Sequence, residues 1–193
     1  MQERFKLKQF LMRKVFLLAC FLSLNVVVNA QTHVSASSEI SFFSTAPLED
    51  IHAVNKDAKS LLNTTNNELA VVIGIRSFKF EKELMEEHFN ENYLESDKFK
   101  TAVFKGKINE TIDFSKDGTY DISATGKLTI HGVEQERTIT GTITVKGGKL
   151  TLNSKFKVAL KDHKIKIPKA VTSNIAEEVE VTTLFNYEPK VQK

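Results

Sequence analysis

The clearest feature of this sequence is a two-residue alternation of apolar and polar side chains between Gly118 and Leu160. From Tyr120 to Ile130 every even position is apolar or small, and the odd positions between them are polar. Because side chains of a strand point alternately to opposite faces, this pattern predicts strands with one dry face and one wet face. Gly147-Gly148 separates two alternating runs and predicts a hairpin turn, since glycine reaches positive φ angles without a clash. The stretch therefore predicts an antiparallel meander of three strands.

Shorter apolar or alternating runs on either side of the meander predict further strands. These runs are residues 39–46, 69–75, 99–108, 112–114, 164–168 and 179–187. Residues 31–38 are polar and predict a frayed start, while residues 48–62 predict a short helix or a structured crossing. About eight strands with regular turn signals predict an all-β fold, an eight-stranded antiparallel barrel.

One helix is predicted beside this sheet. Met85, Phe89 and Tyr93 recur at four-residue spacing between carboxylates, which predicts an amphipathic helix over residues 81–93. The strand at 69–75 is apolar on both faces, so we expect this helix to cover its outer side. Residues 173–178 are expected to form a short helical turn.

The interior of such a barrel is either filled by its own side chains or able to hold one small ligand. The chain has 14 Phe, 3 Tyr and no Trp, and Phe fills space without needing a hydrogen-bond partner. Ala124, Gly126 and Gly141 fall at inward positions and contribute little volume, which hints at a cavity. Glycine in a strand also marks a bulge or a corner, so both interpretations stay open.

The first thirty residues have the features of an export signal. A basic segment precedes the apolar residues 15–24, and Val28-Asn29-Ala30 has small residues at the spacing of a signal-peptidase site. We therefore expect a signal peptide over residues 1–30, with Met12 as an alternative start, and one barrel domain over residues 31–193. A membrane anchor is the poorer interpretation because the apolar stretch is short for a span of roughly 20 residues. Lipoprotein processing at Cys20 is a further alternative, in which residues 21–28 would leave an apolar tail.

Removing this segment changes the charge of the protein and its chemistry. Residues 1–30 hold five Lys/Arg and one Glu, so the formal net charge falls from +3 to about −1. The case for a polyanion-binding protein then disappears. The only cysteine, Cys20, is also lost, which excludes disulfides, thiol nucleophiles and thiolate metal ligands. We expect a periplasmic or secreted protein.

The sequence contains no recognisable catalytic or metal-binding constellation. The five His are not arranged as HxH, HxxxH or HExxH, and GxSxG, P-loop and GxGxxG motifs are absent. We therefore expect no enzymatic activity, no metal and no cofactor. His131-Gly132 has two interpretations: a residue at the barrel mouth that binds a ligand headgroup, or a turn residue that bonds a backbone carbonyl. The second is favoured.

Several segments together carry a resemblance to a known family. They are Phe78-Lys79-Phe80-Glu81, residues 85–96 (MEEHFNENYLES), residues 104–108 (FKGKI), residues 126–133 (GKLTIHGV), and Phe156-Lys157-Val158 followed by Asp162 and residues 165–168. The chain thereby resembles the YceI-like family over about residues 39–189. The resemblance implies an exported bacterial protein with a lipocalin-like barrel that holds a polyisoprenoid or another long amphiphile, without an established catalytic site.

Two functions follow from this sequence. The favoured one is a non-enzymatic carrier or sequestering protein that holds one isoprenoid or fatty chain in the barrel lumen. The alternative is a barrel filled by its own Phe side chains, which acts as an interaction module through its outer surface. The residues expected to line the lumen are Phe42, Phe78, Phe104, Phe114, Ile122, Leu128, Ile130, Phe156 and Phe185, with His131 as the candidate headgroup ligand.

Overall fold

The computed structural model describes residues 32–171 and 173–190, which form ten strands and one short α-helix. The helix α1 is Glu83–His88, and a π-helical turn at Phe89–Tyr93 continues it. The strands are β1 (Thr32–Thr45), β2 (Asp50–Asn55), β3 (Lys59–Asn63), β4 (Glu68–Gly74), β5 (Lys79–Phe80), β6 (Thr101–Ile108), β7 (Gly118–Ile130), β8 (Val133–Lys146), β9 (Lys149–Ala159) and β10 (Glu178–Pro189).

Eight of these strands close into an antiparallel barrel, which confirms the predicted fold class. The order around the barrel is β10-β9-β8-β7-β6-β4-β3-β1, and pairing of β1 with β10 closes it. Strand β1 is long enough to have two neighbours on its other side: β3 pairs with its first residues and β2 with its last. Strand β5 extends this edge by pairing with β2.

The meander is present as predicted, with strands β7, β8 and β9 joined by two tight turns. Gly147 and Gly148 have φ angles of 56° and 76° in one turn, and His131 and Gly132 have 51° and 71° in the other. These left-handed angles explain why glycine stands at three of the four positions. Strands β8 and β9 pair only along Gly141–Lys146 and Lys149–Ser154. Beyond Gly141 they diverge, and the side chain of Arg137 spans the gap to the carbonyl of Lys157 (2.7 Å).

The predictions for the first part of the chain were wrong in two places. The described residues of 31–38 are not frayed, because β1 begins at Thr32 and hydrogen-bonds to β10 and β3. Residues 48–62 contain no helix but the strands β2 and β3. Their buried positions include Asn55, which bonds the Gly74 carbonyl and the Asp57 N–H, and Ser60, which bonds Tyr187. Because these inward side chains are polar, the alternation of apolar and polar residues is hidden in the sequence.

Three other predicted elements differ from the structure. Residues 112–114 belong to the connection between β6 and β7, although Ile112 is buried. Residues 164–168 are not a strand: a 3-10 helix at Leu160–His163 ends in the left-handed Lys164, and Ile165 turns inward. The regular α-helix is shorter than residues 81–93, but helical geometry does continue to Tyr93 through the π turn.

Close packing of neighbouring strands explains why glycine stands at two of the inward positions. A Cβ on Gly126 would collide with the backbone of Lys105 and Gly106, and one on Gly141 would collide with the Asn153 carbonyl. These glycines therefore permit a close approach of neighbouring strands, and the pairing runs through both positions without a bulge. Ala124 and Gly141 also border a small cavity of about 70 Å³.

Candidate functional site

A cavity of about 510 Å³ occupies one end of the barrel. Its walls come from the ends of β1, β4, β7, β9 and β10, and its cover comes from α1, the π turn and the described residues of the segment 160–175. The apolar lining residues are Ile40, Phe42, Ile51, Ile73, Ile75, Phe78, Phe80, Leu84, Met85, Phe89, Leu94, Ala102, Leu128, Ile130, Phe156, Val158, Leu160, Ile165, Val171, Ile175, Val179 and Val181. Few polar side chains reach this surface, so it suits a hydrocarbon ligand.

Aromatic rings form the side of the cavity beneath the helix. Phe42 lies 5.4 Å from Phe78, 5.8 Å from Phe80 and 5.5 Å from Phe89, measured between ring centroids. Phe89 also contacts Phe78 and Phe80, at 5.7 and 5.0 Å. These five ring contacts restrict the motion of the wall, because each ring has only two side-chain torsions and neighbours that limit them. The helix thereby contributes its apolar face directly to the site.

A smaller cavity of about 70 Å³ lies deeper in the barrel and shares Ile40, Ile73, Leu128, Phe156 and Val181 with the larger one. It reaches the place where β8 and β9 diverge, since Ile139 and Ser154 also line it. Beyond it the barrel is filled by its own side chains.

The mouth of the large cavity carries an ion pair. Lys82, between β5 and α1, places its Nζ 2.7 Å from Oε1 of Glu49, which lies between β1 and β2. The hydrogen bond and the negative charge of Glu49 raise the pKa of Lys82, so the ammonium form is held. Leu84, also at the mouth, is largely exposed.

The other polar lining residues are Ser44, His88, Tyr93 and Asn174. The hydroxyl of Ser44 is already used, because it accepts a hydrogen bond from the N–H of Ala176 (3.1 Å). Burial raises the pKa of the Tyr93 phenol, which therefore stays neutral.

The structure places the residues expected in the lumen in three groups. Five line the large cavity: Phe42, Phe78, Leu128, Ile130 and Phe156. Phe104, Ile122 and Phe185 line the small cavity, together with Leu128 and Phe156. Phe114 lines neither; it packs against the core from the connection between β6 and β7.

His131 lies in the β7–β8 turn and has three partners there. Its Nδ1 donates to the carbonyl of His163 (3.2 Å), its Nε2 lies 2.8 Å from a carboxylate oxygen of Glu95, and its ring packs edge-on to Phe99. It is not among the residues that line either cavity. This geometry fits the turn interpretation, and it joins the two segments that resemble the YceI-like family most closely, around Glu95 and around His131.

Sequence reasoning missed several residues of the site. Phe80, Phe89, Leu160, Ile165 and Ile175 all line the large cavity. The apolar face of the predicted helix was the available signal for Phe89, but that face was assigned to covering a strand. Residues 160–175 have no regular periodicity, so the sequence contains no comparable signal for them.

Within residues 32–171 and 173–190, no group of three or more His, Cys, Asp or Glu side chains is placed to hold a metal ion. The same residues include no helix that is long and apolar enough to cross a membrane.

A family model, the YceI-like domain, matches residues 27–187 of the chain. No curated protein matches the sequence.

Three solved structures are similar in fold. A polyisoprenoid binding domain from Saccharophagus degradans, implicated in plant cell wall breakdown, has a TM-score of 0.71 at 13% identity, covering 84% of this chain and 99% of that one. BcnA of Burkholderia cenocepacia has a TM-score of 0.65 at 17% identity, covering 77% and 95%. The YCEI protein of Campylobacter jejuni has a TM-score of 0.56 at 19% identity, covering 72% and 85%.

Proposed function

The chain belongs to the YceI-like domain family, and from this premise we propose that it binds one long-chain amphiphile, of polyisoprenoid or fatty-acyl type, inside its barrel. The protein carries or sequesters this molecule and does not transform it. Its partner is a lipid, and the binding needs no cofactor or metal.

The observation that carries this proposal is the apolar cavity of about 510 Å³. Its volume is within the range of about 300–1,000 Å³ that small-molecule sites occupy. Burial of hydrocarbon contributes about 0.8 kcal/mol per CH₂, so a chain of roughly ten buried carbons gains about 8 kcal/mol before the costs of association. Affinity can therefore come from the chain, with few polar contacts.

The cavity also favours the carrier over the filled-barrel interaction module. In that alternative the Phe side chains would occupy the lumen, whereas Phe42, Phe78, Phe80 and Phe89 stand at its wall. The description of the Saccharophagus degradans domain as polyisoprenoid binding agrees with the proposal. At 13% identity that likeness concerns the fold, so the ligand class of this chain depends on its own cavity.

We assign the two groups of lining residues to different parts of the ligand path. Phe42, Phe78, Leu128, Ile130 and Phe156 form the wall that contacts the chain. Phe104, Ile122 and Phe185 form its floor. Phe114 contributes to packing, and His131 closes a turn.

The proposed place of action is the periplasm or the outside of the cell. It depends on the predicted signal peptide at residues 1–30, with cleavage after Ala30, which lies outside the described residues. The remaining residues 31–193 then form one barrel domain. N-terminal sequencing and intact-mass measurement of the protein from a Gram-negative host test this. A start at Gln31 supports it, a lipidated Cys20 overturns the cleavage site, and retention of residues 1–30 overturns the place of action.

The primary experiment is mass spectrometry of an organic extract from natively purified protein, expressed in a Gram-negative periplasm. We expect one prenyl or acyl species in about stoichiometric amount. A clean extract, together with no thermal stabilisation by added prenyl or fatty-chain lipids, would overturn the carrier function.

Substitutions to Asp inside and outside the barrel locate the bound lipid. Phe156→Asp or Leu128→Asp puts a carboxylate on the surface of both cavities and should abolish lipid co-purification. Val72→Asp places the same group on an exposed position of β4 and should leave lipid content unchanged. Lipid retained by a folded Phe156→Asp protein would place the site elsewhere.

A further inference from the structure

The lining of the large cavity contains an ion pair, Lys82–Glu49. The side chains are 64% and 28% exposed, so the pair lies where the lumen meets solvent. The other polar lining residues are His88, Tyr93, Asn174 and Ser44, of which Ser44 is almost completely buried and already accepts a hydrogen bond from a backbone N–H. A chain that fills the lumen and leaves its polar end at the opening would present that end to the ion pair.

The Lys82–Glu49 pair can donate a hydrogen bond to a ligand and accept one from it, and it carries no net charge. An ammonium has three N–H donors and a carboxylate about four lone-pair sites, so a single contact of 2.7 Å leaves free capacity on both. A hydroxyl or phenol can donate to Glu49 and accept from Lys82 while the ion pair stays intact. A carbonyl can accept from Lys82 alone.

A negatively charged head would meet a different environment. It would have to stand beside the carboxylate of Glu49 or displace it from Lys82, and either arrangement brings like charges together.

Building on the proposed lipid-binding function, we propose that the Lys82–Glu49 pair is a headgroup subsite that selects amphiphiles with an uncharged oxygen-containing head, such as a prenol, over those with a phosphate or carboxylate head. Glu49 excludes anions, and Lys82 supplies the donor.

The test compares two probes with one chain: geranylgeraniol and geranylgeranyl monophosphate, each titrated against the protein after its lipid has been removed. We expect the alcohol to bind about tenfold or more tightly, since a hydrogen bond to a charged group contributes about 1.5–3 kcal/mol. Glu49→Gln frees Lys82 and should strengthen binding of the phosphate about tenfold. Lys82→Gln leaves an unpaired carboxylate and should weaken binding of the phosphate. The opposite signs of the two variants are the signature of this subsite.

The chain offers a closely matched control pair on its surface. Lys79 and Glu86 form an ion pair of 2.6 Å with side-chain exposures of 71% and 27%, and neither residue lines the cavity. Lys79→Gln and Glu86→Gln make the same changes of charge and should leave the ratio of the two affinities unchanged.

The outcomes separate this inference from the function on which it rests. If neither probe binds the wild-type protein, the lipid-binding function fails. If both probes bind and the phosphate binds as tightly as the alcohol, the headgroup subsite is overturned while lipid binding stands. A shift in Glu86→Gln as large as that in Glu49→Gln would also overturn it, because the effect would then be one of overall charge.

Discussion

The two ends of this barrel are packed in opposite ways. At one end Leu62, Ile108, Ile143, Val145 and Tyr187, from β3, β6, β8 and β10, are almost completely buried in the core. At the other end β1, β4, β7, β9 and β10 surround the cavity of about 510 Å³, whose wall residues are in many cases only partly buried. We call these the filled end and the hollow end.

The difference shows that stability and ligand capacity are separated along the barrel axis. The filled end has the packing that makes substitutions costly, because a protein interior tolerates neither voids nor added volume. The hollow end forgoes that packing, so its residues are available for a ligand. The first three predictions below compare matched residues at the two ends, and the predictions run from the largest expected effect to the smallest.

The same truncation should have unequal costs at the two ends. Ile143→Ala removes a fully buried side chain from the filled end and should lower the free energy of unfolding by about 3 kcal/mol. Ile130→Ala removes a side chain that already borders the cavity and should cost about 1 kcal/mol. Urea denaturation of the lipid-free proteins measures both. Equal costs would show that the hollow end is packed like the filled end.

Added volume should likewise cost more stability at the filled end than at the hollow end. Ala124→Trp adds an indole at a position flanked by Ile108 and Ile139, where only the small cavity of about 70 Å³ is open, and should destabilise the protein by about 1–3 kcal/mol. Ala102→Trp projects into the large cavity, so its stability cost should be below about 1 kcal/mol while lipid binding is reduced. Thermal denaturation and lipid content are the measurements. Destabilisation by Ala102→Trp equal to that by Ala124→Trp would contradict an open lumen.

Removing a tyrosine hydroxyl should also cost more stability at the filled end than at the hollow end. The buried hydroxyl of Tyr187 hydrogen-bonds Ser60 at 2.6 Å, so Tyr187→Phe should cost about 1 kcal/mol. Tyr93 is half-buried at the cavity, and Tyr93→Phe should cost about 0.3 kcal/mol or less, since a group near solvent regains water contacts. Chemical denaturation of the two variants decides this. A larger loss of stability for Tyr93→Phe than for Tyr187→Phe would mean that the Tyr93 hydroxyl makes a hydrogen bond within the protein.

The smallest expected effect is a pH dependence from His163, near the hollow end. Burial lowers the pKa of this imidazole below its ordinary value of 6.5, although its ring bonds the Val133 carbonyl and Asp162 acts in the opposite direction. The unfolded chain therefore takes up the proton first, and stability present above about pH 6.5 is lost as the pH falls toward the depressed pKa. His163→Gln should flatten this part of the stability–pH curve. An unchanged slope in that variant would assign the effect to other groups.

Asp113 contributes to stability in a different pH range of the same experiment. Hydrogen bonds from Lys116 and Ser115 lower the pKa of its carboxyl to about 2, so its contribution is lost only well below the range in which His163 acts. Because Asp113 is exposed, solvent screens this contribution and it should be small.

Much of the fold could be predicted because apolar alternation is a local property of the chain. The strands β6, β7, β8, β9 and β10 all show it, β4 is a continuous apolar run, and the turn glycines mark two of the boundaries. The predictions failed at β2 and β3, where Asn55 and Ser60 face inward. A buried polar residue is stable there because a distant partner satisfies it, and that partner cannot be read from the neighbouring sequence.

The site could be predicted in part for the same reason. Inward positions of long strands, such as Leu128 and Phe156, could be identified as lumen residues from alternation alone. Whether an inward Phe reaches a cavity or a filled interior depends on its height in the barrel. Phe78 and Phe104 therefore could not be distinguished, although one lines the large cavity and the other lines the small one.

The sequence by itself determined the strand pattern, the closed all-β architecture, the amphipathic helix and the absence of recognised catalytic motifs. Tertiary structure alone decided where the barrel is hollow, that the helix and residues 160–175 cover that end, and that Lys82 meets Glu49 at its mouth. The reason is physical: periodicity fixes the face on which a side chain lies, whereas a cavity or an ion pair arises where segments distant in sequence meet.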